Sequence, residues 1–290
     1  MKQQAATPGR IELRFGTATD RGLRRLINED SLLARNPLFA VADGMGGHEA
    51  GEVASRLCVE ALAASALLTG HTRAEDVALA LAAGDASIRE ATGSRAGTTV
   101  TGVVLVEESG NPYWLFFNVG DSRCYRLRGG GLEQITVDHS EVQELVDLGR
   151  ITPAQALVHP RRHVVTRALG TGSDAEADFW LNPVEDGDRI LICSDGLTSE
   201  VPDEEIARIL AEVHDAGRAC EELVQAALRS GGRDNITVIV VDAAGPGVHR
   251  SSEVTAPAED DEADSDTLPR GLRSPQQGSN GTAGGRTWSL

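Results

Sequence analysis

The sequence predicts an α+β fold in which antiparallel sheets are layered against helices. Three observations predict it. Apolar and polar residues alternate in short runs, as at Ile11, Leu13 and Phe15, which is the period of a half-buried strand. These runs fall in groups before and after helical segments rather than alternating with them one for one, which argues against a doubly wound parallel sheet. Residues 49–68 and 72–91 are consecutive Ala/Leu/Val-rich segments, suited to an antiparallel helical pair covering a sheet.

The elements follow in order. Residues 1–9 read as a flexible arm, and a first strand begins at Ile11. Ser31–Leu33 and Leu38–Ala42, split by the turn signal Asn36-Pro37, read as a hairpin ending in a loop at Asp43. A helix follows over 49–68. The next is expected to start at Thr72, where Thr72-Arg73-Ala74-Glu75 fits a capping box. Residues 97–136 read as a β-meander built from Thr98–Val106, Tyr113–Val119 and Arg123–Leu127. Segment 138–165 is polar, with short helices expected near Ser140 and Pro153. So long an insertion in a compact domain is more often functional than a plain connection. Strands resume near Val164, at Ala177–Leu181 and at Arg189–Cys193. Helices near 203–213 and 218–229 precede a last buried strand, Ile236–Val241. Residues 243–290 are rich in Gly, Ser, Pro, Asp and Glu, and are expected to form a disordered acidic tail. They carry too little apolar surface to offset their ordering entropy.

Composition narrows the function. The chain has 290 residues, is 40% hydrophobic and carries a formal charge of -17. It can bury a substantial core, but it lacks the basic surplus that nucleic-acid binding needs. The four cysteines have no CxxC spacing and read as buried thiols of a reducing, cytoplasmic setting. No signal-peptide core is present, and no apolar run approaches the ~18 residues of a membrane span, so no membrane association is expected.

Five acidic motifs carry the chemistry: Arg25-Leu26-Ile27-Asn28-Glu29-Asp30, Asp43-Gly44-Met45-Gly46-Gly47-His48, Gly120-Asp121-Ser122-Arg123, Ser194-Asp195-Gly196-Leu197 and Gly232-Arg233-Asp234-Asn235. Each sets an Asp beside Gly, Ser or Asn next to an apolar run, so each delivers a carboxylate into a loop at a strand end. One alone is an ordinary turn. Five together suggest one oxygen-rich site for hard divalent cations, with Asp43, Asp195 and Asp234 as the best ligands. Gly44 lets its carbonyl approach a metal closely. Arg25 can grip a phosphate bidentately, which Lys cannot. Competing signatures are missing: there is no Gly-x-x-x-x-Gly-Lys-Ser/Thr loop, no Gly-x-Ser-x-Gly elbow, and no His or Cys grouping with zinc spacing.

The strings RLINED, DGMGGHEAGEVAS, AGTTV, VGDSR, DHS, TRALG, CSDGL and RDNITV, in this order and at these spacings, resemble the bacterial branch of the metal-dependent type 2C (PPM) Ser/Thr protein phosphatases. The resemblance covers about 11–242 and sets a catalytic domain at 10–242, with a flap over about 138–165. It implies a four-layer α-β-β-α sandwich of two mostly antiparallel sheets flanked by helix pairs. It implies Mn²⁺ or Mg²⁺, two ions in the core and a weaker third. Asp43 would bridge the two ions, Gly44 would lend its carbonyl to one, and Asp195 and Asp234 would complete the other. Glu29 and Asp30 match the acidic pair after the arginine, with Asp30 acting through bound waters. Asp121, with Asp195, matches the third site, and Arg25 matches the phosphate-binding arginine. The implied reaction is in-line hydrolysis of phosphoserine and phosphothreonine on proteins by a metal-bridging water. The implied partners are phosphoproteins and an opposing Ser/Thr kinase.

Met45 departs from the family pattern, since many eukaryotic relatives carry there a His able to protonate the leaving group. A bound water or His48 is then the candidate acid, although His48 is better explained by loop packing. In Asp138-His139-Ser140 a helix cap explains Ser140, with a place near the active site as the functional alternative for His139, and Arg161, Arg162 and His163 read as a solvated flank or a substrate contact. Trp114 and Trp180 read as core aromatics. Two other functions remain open on the same fold: a catalytically dead phosphoprotein-binding module, and a regulator dedicated to one anti-sigma-antagonist-type phosphoprotein.

Overall fold

The computed structural model describes residues 11–46, 50–68, 72–172 and 175–245, together with the backbone of 286–288. The strands are β1 (Glu12–Asp20), β2 (Asp30–Arg35), β3 (Leu38–Gly46), β4 (Ala96–Thr98), β5 (Val100–Glu108), β6 (Asn111–Val119), β7 (Arg123–Arg128), β8 (Gly131–Gln134), β9 (Asp178–Pro183), β10 (Arg189–Cys193), β11 (Ile236–Ala244) and β12 (Arg286–Trp288). The helices are α1 (Ala50–Ala64), α2 (Ala74–Thr92), α3 (Glu141–Asp147), α4 (Pro153–Ala156), α5 (Asp195–Thr198), α6 (Asp203–Glu212) and α7 (Ala216–Ser230).

Period-two alternation builds the layers. On β3, Leu38, Ala40 and Ala42 join one core while Phe39 and Val41 join another. On β10, Leu191 and Cys193 part from Ile190 and Ile192 in the same way. On β11, Val238 and Val240 part from Ile239 and Val241. One sheet has five strands in the order β1-β11-β10-β7-β8; the other has seven, with β12-β9-β6-β5-β3-β2 in line and β4 paired to the end of β3. Strand pairing is antiparallel throughout. Phe39, Trp114, Phe116, Ile192 and Ile239 fill the space between the sheets. Helix α1 buries Ala54, Cys58 and Leu62, four residues apart, against the outer face of the seven-stranded sheet, with α2 alongside. Helices α6 and α7 cover the five-stranded sheet through Ile206, Ile209, Leu223 and Ala227. The result is the expected four-layer α+β sandwich.

A buried charge group joins the sheets. Asp188, 1% exposed, accepts Arg126 Nε (2.8 Å) and Nη2 (2.7 Å), Trp114 Nε1 (2.9 Å) and the Glu185 amide (2.8 Å). Trp114 and Trp180 are core residues, at 0% and 8% exposure. All four cysteines are free and buried. Burial pushes the thiols of Cys58, Cys124 and Cys220 up to about 12.

The structure corrects several expectations. Residues 97–136 do not form one meander, because β6 lies in the seven-stranded sheet and β7 in the five-stranded one. The chain changes sheets at Gly120-Asp121-Ser122. Thr72 does not cap α2. It donates to the Leu67 carbonyl at 3.2 Å, while Arg73 takes the cap position and Asp76 accepts the Arg73 amide at 2.9 Å. The helix expected over 49–68 ends at Ala64, and a 3-10 turn covers Ala66–Leu68. No strand forms at Val164; Val165 makes a single bridge to Ser140. Helix α5 was not expected. Strand β11 runs to Ala244, three residues past the expected Val241, and Arg286–Trp288 forms a strand on β9. The arm at 1–9, His48 and the remainder of the tail lie outside the described residues.

Candidate metal and phosphate site

Strand ends converge at one rim of the sandwich. Asp30 opens β2 and lies directly opposite Asp43 near the end of β3. Asp195 follows the end of β10 as the first residue of α5, and Asp234 just precedes β11, which runs antiparallel to β10. Asp121 sits on the crossing between the sheets. Antiparallel pairing thus brings distant carboxylates to one cleft of about 490 Å³, lined by Arg25, Glu29, Asp43, Gly44, Asp121, Asp195 and Asp234. Asp30 lies behind this lining. Its Oδ2 accepts Ser194 Oγ at 2.9 Å, and its Oδ1 is buried without a hydrogen-bond partner.

The supporting contacts are specific. Thr98 Oγ1 and the Thr99 amide both donate to the Asp43 carbonyl at 2.9 Å, and the Asp43 amide donates to Thr99 Oγ1 at 3.3 Å. A Cβ on Gly44 would stand 2.2 Å from the Gly51 carbonyl oxygen and 2.5 Å from that of Glu29, so only glycine fits there. Asn235 accepts the Glu29 amide at 2.8 Å and donates to the carbonyls of Arg21 and Ile27 at 2.9 Å each, stapling the loop that carries Arg25. Reading the motifs for ligands overlooked this Asn, although it stands beside Asp234. The Arg25 guanidinium reaches Asp234 Oδ2 at 2.7 Å and Glu29 Oε2 at 3.9 Å, with its side chain half exposed.

The cleft concentrates negative charge. Burial first, then hydrogen bonds and nearby carboxylates, set Asp30, whose carboxyl is pushed up to about 7. Burial and the carboxylates of Asp30, Asp195, Asp121 and Asp234 hold Asp43 well above the usual range. Asp121 is raised by burial and then by Asp195. Burial also raises Glu29, against the pull of Arg25. Bound cations would offset the repulsion among these carboxylates. The donors are all oxygen, which suits a hard divalent cation, and the orphaned Asp30 Oδ1 calls for a bound water or ion. As the side chains lie, no three acidic, His or Cys groups among the described residues meet in one ion's ligand shell.

Met45, Arg162, His163, Glu200 and Arg233 also line the cleft around its rim. His163 Nδ1 is 3.9 Å from Asp195 Oδ2. Arg161 instead pairs with Glu141 at 2.5 Å. Glu200 accepts Arg233 Nε and Nη2 at 2.9 Å each, a contact with no sequence signal of its own. Segment 138–165 contributes α3, capped by Ser140 Oγ accepting the Gln143 amide at 3.3 Å, and α4. His139 does not line the cleft.

Residues 24–230 match the family model for protein phosphatase 2C. The chain is 41% identical over 271 residues to the serine/threonine protein phosphatase PstP of Mycobacterium tuberculosis, covering 89% of this chain and 50% of that protein. It thus spans about half the length of that relative. It is 36% identical to the serine/threonine phosphatase stp of Listeria monocytogenes, over 77% of this chain and 93% of the relative. The crystal structure of the PstP catalytic domain in complex with two manganese ions superposes with a TM-score of 0.72 at 39% identity, covering 81% of this chain and all of that one (100%). No helix among the described residues is long and apolar enough to cross a membrane.

Proposed function

This chain belongs to the protein phosphatase 2C family, and on that premise we propose that it hydrolyses phosphoserine and phosphothreonine on proteins, opposing a Ser/Thr kinase. The observation that carries the reading is the convergence of Asp43, Asp195, Asp234 and Asp121 with Arg25 in one cleft. We assign the catalytic domain to 10–242.

In this reading Asp43, the Gly44 carbonyl, Asp195 and Asp234 would hold two Mn²⁺ or Mg²⁺ ions, with Asp43 serving both. Glu29 and Asp30 are the acidic pair beside Arg25, of which Asp30 would act through bound waters, and Asp121 with Asp195 would hold a weaker third ion. When bound, the ions supply Lewis acidity that makes water nucleophilic near neutral pH and screens the phosphoryl charge. The protein supplies position. Arg25 leaves Asp234 to hold two phosphoryl oxygens through its planar fork. Thr98 and Thr99 fix the Asp43 backbone so that its carboxylate points into the cleft without rearrangement. A water oxygen bonds to phosphorus as the phosphorus–oxygen bond to Ser or Thr breaks, and a bound water or His48 would protonate the departing alkoxide, because Met45 at the rim has no proton to donate. The buried, un-ionised thiols do not serve as nucleophiles.

A phosphoprotein-binding module would be favoured by loss of an acidic ligand residue, and Asp43, Asp195 and Asp234 are all present. The test is phosphate release from a phosphothreonine peptide with Mn²⁺, with excess chelator, and in Asp43→Asn. Release that needs Mn²⁺ and falls by about a thousandfold or more in the variant supports the enzyme. Calorimetric Mn²⁺ binding without release supports the binding module instead.

A further inference from the structure

We infer that His139 is a positioning residue that clamps the Gly120-Asp121 turn and ties it to the base of the 138–165 segment; the inference rests on the proposed role of Asp121 as an ion ligand. His139 is 5% exposed and holds one residue at both of its polar ends. Its backbone amide donates to the Gly120 carbonyl at 2.8 Å, and its Nδ1 accepts the Gly120 amide at 3.1 Å.

A backbone amide only donates, so Nδ1 presents a lone pair and the ring proton sits on Nε2. Nε2 then donates to Asp178 Oδ2 at 3.1 Å. Arg167 Nη1, 3.3 Å from Nε2, turns its proton to Asp178 Oδ1 at 3.1 Å. Asp178 and Arg167 therefore orient the ring so that its free nitrogen meets Gly120.

The turn needs this outside brace. Gly120 has φ +111°, and a Cβ there would lie 2.5 Å from the Thr99 side chain, so it carries no side chain to pack. Asn118 Nδ2 adds one bond to its carbonyl at 2.9 Å, but among the described residues only His139 holds its amide. Asp121, next in the chain and 8% exposed, faces other carboxylates that push it away. From its other side, the His139 carbonyl accepts the Thr166 amide at 2.8 Å, and Ser140 bridges Val165. One residue thus meets the sheet crossing that bears Asp121 and both ends of the 138–165 segment.

Two substitutions separate the ring's contacts. In His139→Asn, Oδ1 falls near the position of Nδ1 and keeps an acceptor for Gly120 while losing Asp178. In His139→Gln, the amide reaches Asp178 and leaves the Gly120 amide unpartnered. In chelated protein, the Gly120 amide is expected to exchange about tenfold faster in the Gln variant and within about twofold of wild type in the Asn variant. By calorimetric titration with Mn²⁺, the weakest site is expected to weaken about tenfold in the Gln variant only, with Asp121→Asn as the benchmark for its loss. Unchanged Gly120 exchange in the Gln variant, or equal exchange in both variants, overturns the clamp. If Asp121→Asn abolishes the weak site and the Gln variant leaves it intact, the link from clamp to ion site is overturned. If Asp121→Asn changes no Mn²⁺ binding while Gly120 behaves as expected, the clamp stands and the ion-ligand role of Asp121 falls. Should the Gln variant fail to fold, a folded Asn variant that loses Gly120 protection still refutes the inference, and one that retains it supports it.

Discussion

Asp30→Asn probes the charge of the cleft from behind its surface. In the fold, the Asp30 carboxyl is pushed from its ordinary 3.8 up to about 7, first by burial. Below about pH 3.8 both folded and unfolded chains hold the proton, and the group's contribution to stability is fully present. As pH rises toward 7, the unfolded chain has lost a proton that the fold retains, so stability falls; above about 7 the contribution is gone. Roughly three pH units at about 1.36 kcal/mol each set an upper bound of about 4 kcal/mol. The Asn variant cannot ionise, but its amide nitrogen falls near where Oδ1 is buried without a partner, costing about 1–3 kcal/mol. In chelator at pH 8 the variant is therefore expected to be about 1–3 kcal/mol more stable than wild type by urea unfolding, with the difference shrinking or reversing at pH 5. Mn²⁺ at pH 8 should stabilise wild type more than the variant, because the ionised Asp30 carboxylate attracts the cations and the Asn amide does not. A chelated variant no more stable than wild type at pH 8 would refute the electrostatic account of the cleft.

Other perturbations test separate parts of the structure. Arg25→Lys should lower kcat/KM for a phosphothreonine peptide by about ten- to a hundredfold, the size of one charge-assisted hydrogen bond; steady-state kinetics showing no change would remove Arg25 from phosphate binding. Gly44→Ala places a methyl 2.2 Å from the Gly51 carbonyl oxygen. It should cost about 1–3 kcal/mol in urea unfolding and weaken Mn²⁺ binding measured by calorimetry. Asp188→Ala strands Arg126, 5% exposed, without its buried partner. Denaturation should show about 3–5 kcal/mol of destabilisation, with residual activity per folded molecule unchanged.

Short-range pattern made much of the fold legible. The alternation on β3, β10 and β11 marks two buried faces per strand, and side-chain period needs no knowledge of distant residues. The same holds for the Ala54, Cys58 and Leu62 spacing of α1. Thr72 misled because the capping signature is local while its hydroxyl found the Leu67 carbonyl in the preceding turn. The meander reading failed at Gly120-Asp121, because apolar spacing cannot say which sheet a strand joins. That choice rests on partners such as β9 for β6 and β10 for β7, far along the chain.

The sequence by itself determined the residue types at the heart of the cleft: oxygen donors, the Arg25 guanidinium, and a glycine at position 44. It also determined the family through the order of its motifs. Only the tertiary structure decided that Arg25 and Asp234, 209 residues apart, lie 2.7 Å from each other. It also decided that Asp30 stands behind the lining, that Asn235 staples the Arg25 loop, and that His139 turns toward Gly120. Periodicity and turn chemistry act between near neighbours. Burial, hydrogen-bond partners and the sum of nearby charges are set by whichever distant segments the packed sheets bring together.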